Sequence, residues 1–175
     1  GHGVSAAILA LLFKHRLRLF DPTGTKLRPA AILSRMNEVL VKEISAPGIF
    51  VTAIFCLLNI DNGKLIVASA GHPPLLVREA NGRMRMFEHT GPALGLYGNA
   101  VFAEREIVLQ ESDRVLLYTD GVFNRAENSP LDQNQLMQEL QPFDDRSFVL
   151  ERILNRARDE RPLAVQDDLT LLLLE

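Results

Sequence analysis

Phe50-Val51-Thr52-Ala53-Ile54-Phe55-Cys56-Leu57-Leu58-Asn59-Ile60 runs into Asp61-Asn62-Gly63 and then into Lys64-Leu65-Ile66-Val67-Ala68-Ser69-Ala70. The first stretch carries Val51, Thr52, Ile54 and Phe55, all good strand formers. Asp-Asn-Gly is a hairpin signal, because Asn and Gly tolerate the backbone angles that a tight turn demands. Two strands joined this way are antiparallel. Since residues 50–60 are apolar on both faces, they are expected to form an inner strand covered on each side.

Working outward, the same texture continues. Asn81-Gly82 marks a second hairpin between residues 75–79 and 83–87. Residues 102–109 alternate Glu104 and Glu106 with Ala103, Arg105 and Ile107, as a half-exposed strand would. Ser112-Asp113 turns the chain into a buried strand at 115–119, and 169–174 is a last, strongly apolar one. Helical spacing flanks these strands. Residues 4–13 are apolar on nearly every side, so a helix over 4–19 is expected to be buried. A second helix starts at Pro29 and presents Leu33, Met36, Leu40 and Ile44. Two more are expected at 131–140 and 146–158, the latter with Asp145 as N-cap and a Val149, Ile153, Ala157 stripe. Helices, a meander of antiparallel strands, helices and a final strand argue an α+β fold.

The 175 residues suit one domain, with a net charge of −3, 47% hydrophobic and 23% charged residues. That charge gives no basis for nucleic-acid or anionic-membrane binding, which would favour a concentrated basic patch. Lys14, Arg16 and Arg18 share a predicted helix and read as a solvated face. Cys56 is the single cysteine, so no internal disulfide is available. No apolar run approaches the roughly 20 residues that span a bilayer. A soluble, cytoplasmic protein is expected.

Four places carry chemistry. Tyr118-Thr119-Asp120-Gly121 ends a buried strand in a carboxylate, held on a rigid element yet able to face the mouth of the sheet, as a metal ligand must be. Asp-Gly is also an ordinary turn. Gln166-Asp167-Asp168-Leu169-Thr170 precedes the last strand; paired acids there are either solvated or compensated by a cation. If the two strands are neighbours, these acids converge on one end of a sheet. Oxygen ligands without His or Cys suit magnesium or manganese. Gly1-His2-Gly3, before the first helix, reads either as an anion-friendly helix start or as a frayed chain end. Ala70-Gly71-His72-Pro73-Pro74 is a rigid turn whose single His is more often structural.

Taken in order, the chain resembles the PPM-type phosphatases, in the bacterial branch related to the sporulation phosphatase SpoIIE. The resemblance rests on Gly1-His2-Gly3-Val4-Ser5-Ala6-Ala7, Phe50-Val51-Thr52, Ala70 through Pro74, Pro92-Ala93-Leu94-Gly95, Tyr118 through Gly121, and Asp167 through Thr170. It spans residues 1–175, read as a single phosphatase domain lacking its N-terminal strands. It implies an αββα sandwich of two antiparallel sheets flanked by helices, with a two-metal site of Mn2+ or Mg2+. By carry-over, Asp120 and Asp167 are catalytic residues and metal ligands, with Asp168 as a further ligand. The implied reaction is hydrolysis of phosphoserine or phosphothreonine by metal-bound water, whose pKa two cations can lower.

The same resemblance implies a phosphorylated regulatory partner, a STAS-type anti-anti-sigma protein, and an upstream sensory or receiver domain. An incomplete sheet edge would permit a homodimer. Three departures bear on activity. The family's first Asp falls three positions before Gly1, which implies that the chain as it stands binds the metals poorly or not at all and is inactive. Val122-Phe123-Asn124-Arg125-Ala126 lacks the Glu often found after Tyr-Thr-Asp-Gly, and Ser112 stands where Gly is usual. The alternative function is therefore a catalytically weak, phosphatase-like adaptor. A serine hydrolase using His2 or His72 lacks a Gly-x-Ser-x-Gly context.

Overall fold

A computed structural model of the chain describes residues 11, 14, 28–43, 50–123, 132–142, 145–158 and 168–175. In chain order its elements are α1 (Pro29–Glu43), β1 (Ala53–Asn59), β2 (Lys64–Ala70), β3 (Leu75–Arg78), β4 (Met84–Phe87), β5 (Arg105–Val108), β6 (Arg114–Tyr118), a 3-10 turn (Asp120–Val122), α2 (Gln133–Leu140), α3 (Arg146–Arg158) and β7 (Leu171–Leu174). They fall into two compact units. One holds the described residues up to His72 together with Glu88–Leu109, and the other holds Pro73–Phe87 together with the described residues from Gln110 onward.

The first unit is a three-stranded antiparallel sheet, β1-β2-β5, with α1 against one face. Register explains the face. Ala53 pairs with Ala70 and Phe55 with Ala68, and alternate residues of a strand share a side. The small alanines let α1 seat Ile32, Leu33, Met36 and Leu40 closely on them, joined by Leu94 and Phe102. The start of α1 is held from a distance: Glu104 accepts the Ala30 N–H at 3.0 Å and the Arg28 Nε–H at 2.6 Å. Burial pushes the Glu104 carboxyl up, but the bonds from Arg28 and Ala30 and the Arg28 charge outweigh it and hold the group below its ordinary value. The 61–63 turn forms as expected, with the Asn62 side-chain Oδ1 accepting the Lys64 N–H at 3.1 Å.

The run at 50–60 departs from expectation. Its strand begins at Ala53 and lies at the margin of the described sheet, while β2 takes the centre. Residues 57–59 of β1 are exposed, because α1 covers only the first half of the strand among the described residues. Cys56 is half-buried, and burial raises its thiol to about 11, the behaviour of a small hydrophobe. Of the predicted helix at 4–19, only Leu11 and Lys14 are among the described residues; both are helical, and Leu11 is 73% exposed, so burial on every side does not hold there.

The second unit is a four-stranded antiparallel sheet, β4-β3-β6-β7. Leu76, Leu116, Tyr118 and Leu173 supply the sheet's part of a core completed by Leu136 and Leu140 of α2 and by Val149, Ile153 and Ala157 of α3. A helix as short as the 8-residue α2 is marginal alone, so this packing and its capping box of Asp132 with Gln135 sustain it. Asp145 opens α3, accepting the Ser147 N–H at 2.9 Å. Buried Asp113 is satisfied by the N–H groups of Ala80 at 2.8 Å and Gln110 at 2.9 Å, which fixes the entry to β6. Beside it, Ser112 adopts φ 69°, the left-handed region that favours glycine. Among the described residues no helix is long and apolar enough to cross a membrane.

Candidate metal site at the end of β6 and β7

β6 and β7 are neighbours, as the convergence of the acids requires. They pair antiparallel from Val115↔Leu174 to Tyr118↔Leu171, so the end of β6 and the start of β7 meet at one edge of the sheet. Asp120 follows the first by two residues and Asp168 precedes the second by three; both are exposed. Apolar contacts hold the carboxylate-bearing turn in place. Val122 is fully buried in the core, and the Phe123 ring meets the Tyr118 ring edge-on at 5.5 Å between centroids. The Phe123 N–H donates to the Asp120 carbonyl at 2.9 Å, closing the turn around Gly121.

Three hydrogen bonds stitch the two segments together beyond the last strand pair. The Thr119 N–H donates to the Thr170 carbonyl at 3.1 Å. The Thr119 hydroxyl donates to the Asp168 carbonyl at 3.0 Å, and it accepts the Thr170 N–H at 2.9 Å. Gly121 adds a close backbone approach: a Cβ there would stand 2.2 Å from the Asp168 carbonyl oxygen. The Asp-Gly pair is therefore more than a generic turn, since the glycine gives the Asp168 backbone room to pass.

Of the sequence-predicted residues, the structure thus brings Asp120 and Asp168 to one sheet end. Asp167 and Gly1-His2-Gly3 lie outside the described residues. The two carboxylates fit a hard divalent cation by donor chemistry, on a backbone crossing that leaves no space for a bulkier residue at 121. Among the described residues, no group of three His, Cys, Asp or Glu gathers as a metal cluster.

Val51, Gly71 and the Pro92–Gly95 stretch meet in the first unit. Val51 and Leu94 exchange both backbone hydrogen bonds, at 3.0 and 2.8 Å, joining the Phe-x-Thr stretch to Pro92-Ala93-Leu94-Gly95. Gly71, at φ 61°, donates its N–H to Gly91 at 3.0 Å, and a Cβ there would lie 2.9 Å from the Ala93 Cβ. Sequence reasoning missed Asn37. It is buried at 2% exposure, donates to the Tyr97 carbonyl and accepts the Gly95 N–H, each at 2.8 Å. The available signal was a polar residue four positions after Leu33, on the buried stripe of α1.

Comparison with known proteins gives one family over the whole chain: the model for Stage II sporulation protein E (SpoIIE) matches residues 1–175. Phosphoserine phosphatase RsbP of Bacillus subtilis (strain 168) is 27% identical over 128 residues, covering 71% of this chain and 31% of RsbP. The chain thus spans less than a third of that relative. Among solved structures, the RsbU and RsbW domains of Rv1364c from Mycobacterium tuberculosis match at 28% identity and a TM-score of 0.71, over 99% of this chain and 48% of that one. The SiaA-PP2C domain of Pseudomonas aeruginosa matches at a TM-score of 0.81 and 19% identity, over 99% of this chain and 71% of that one, a likeness of fold.

Proposed function

The chain belongs to the SpoIIE family of PPM-type phosphatases, and from that membership we propose that it is a metal-dependent protein serine/threonine phosphatase acting in bacterial partner-switching signalling. The observation that carries the reading is the joint emergence of Asp120 and Asp168 at one end of two paired strands. A phosphoserine substrate is supported by the similarity to RsbP. The finer proposal is a STAS-type phosphoprotein as substrate, met in the cytoplasm, under the control of an upstream sensory or receiver domain.

Phosphatases of the PPM type depend on divalent cations. In this chain Asp120, with Asp167 and Asp168, would hold manganese or magnesium. When bound, such cations would supply charge to the phosphoryl oxygens and lower the pKa of the attacking water toward neutrality. The protein's own contribution is position. Asp120 sits on a turn locked by Val122 and Phe123, and the Asp168 segment is fastened to it by Thr119. The chemistry requires no nucleophilic cysteine, and the half-buried, high-pKa Cys56 is not poised to be one.

The test is turnover by the full-length protein of p-nitrophenyl phosphate and of a phosphoserine peptide, with manganese, with magnesium and with EDTA. Hydrolysis that needs the cation and is abolished in Asp120→Asn supports the enzyme. A folded wild-type protein with no turnover on either substrate overturns it and leaves a phosphatase-like adaptor.

A further inference from the structure

We propose that Thr119 is a positioning residue of the carboxylate site: its side-chain hydroxyl replaces a missing backbone acceptor and thereby sets where the Asp168 segment lies against the Asp120 turn. The inference rests on the reading of Asp120 and Asp168 as cation ligands.

An antiparallel ladder continued past Tyr118↔Leu171 would make Thr119 and Thr170 opposite residues that exchange two backbone bonds. One of these forms, from the Thr119 N–H to the Thr170 carbonyl at 3.1 Å. The other does not, because the Thr119 carbonyl has already turned into the 3-10 turn and accepts the Val122 N–H at 3.0 Å. The Thr170 N–H goes to the Thr119 hydroxyl oxygen instead, at 2.9 Å. That oxygen's single proton is then directed to the Asp168 carbonyl at 3.0 Å. One side chain therefore lets β6 curl away to present Asp120 while the partner segment stays in register through Asp168.

The consequence is specific to the hydroxyl. Serine keeps both bonds. Valine matches threonine in shape and loses both, leaving the Thr170 N–H without the acceptor that fixes it. Groups that orient metal ligands from behind change affinity by roughly 10–100-fold when removed, so Thr119→Val is expected to weaken the site near the lower end of that range.

The experiment is manganese binding to the full-length protein, read by electron paramagnetic resonance of free Mn2+, for wild type, Thr119→Val, Thr119→Ser and Asp120→Asn. Urea unfolding in EDTA is measured in parallel. The expected result is a dissociation constant raised roughly 10-fold in Thr119→Val and within about 3-fold of wild type in Thr119→Ser. If Thr119→Val does not fold, Thr119→Ala replaces it, with the same expectation. Wild-type affinity in the hydroxyl-lacking variant beside lost binding in Asp120→Asn overturns the role of Thr119 and leaves the metal site standing, with Thr119 purely structural. Unchanged binding in Asp120→Asn overturns the site itself.

Discussion

The Asp168 carbonyl oxygen occupies the place where a side chain on Gly121 would begin, with an added Cβ only 2.2 Å away. Backbone against backbone has no soft direction in which to yield, so Gly121→Ala must move either the turn or the β7 segment. The expected cost is about 2–3 kcal/mol by urea unfolding, with manganese affinity falling alongside. Gly98→Ala is the control. Its Cβ would meet Val41 at an ordinary 3.7 Å, and little change is expected.

Asn37 serves two backbone groups of one loop with one amide, the Tyr97 carbonyl and the Gly95 N–H. Replacement by leucine keeps the bulk on the buried stripe of α1 and removes both bonds. A loss of about 2 kcal/mol is expected. Leu96 and Tyr97 are already exposed, so limited chymotrypsin digestion should cut there faster in the variant. Equal cleavage rates would mean that the loop is held by other contacts.

Glu104 makes the start of α1 sensitive to acid. Its carboxyl lies below the ordinary 4.5 in the folded chain, so its stabilisation is complete above that value and is lost as the pH falls through the lower folded value. Glu104→Gln should flatten this part of the acid limb of the stability curve while keeping an acceptor for the Ala30 N–H. Glu104→Ala should also cost about 1 kcal/mol at neutral pH, as a lost helix cap does. Identical acid limbs in wild type and Glu104→Gln would contradict this.

Ser112 holds the left-handed φ of 69° at the entry to β6, a conformation that costs an ordinary residue roughly 1–2 kcal/mol. Ser112→Gly removes that strain and adds freedom to the unfolded chain, a partial offset. The net expectation is a gain of about 0.5–1 kcal/mol in thermal or urea unfolding. A destabilised variant would show that the serine side chain supplies something the φ angle does not reveal.

Much of the fold was legible where local chemistry is decisive. The Asp-Asn-Gly and Asn-Gly turns, the start of α1 at Pro29 and the Val149, Ile153, Ala157 stripe all lie where periodicity and turn residues put them. The margin position of β1 was not legible, because an apolar run reports how a strand can be buried and not how many neighbours cover it. For the site, the two Asp-bearing segments stood out by sequence, and their adjacency needed only the pairing of β6 with β7. The bonds of Thr119 were invisible. They depend on a carbonyl turning away at Thr119 and on a partner 51 residues later at Thr170. Asp113, Glu104 and Asn37 are of the same kind: polar side chains whose bonding partners lie far along the chain.

The pairing of β6 with β7 also sets an order of events during synthesis. Leu171 is made 53 residues after Tyr118, its partner in the register, which at typical ribosomal speeds is a delay of roughly 3–10 s. Until then one edge of β6 lacks the strand that covers it, and Asp120 lacks the segment that carries its companion carboxylate. A nascent chain should therefore be unable to assemble the cation site early. During the same interval it offers an apolar strand edge to chaperones or to a neighbouring polypeptide.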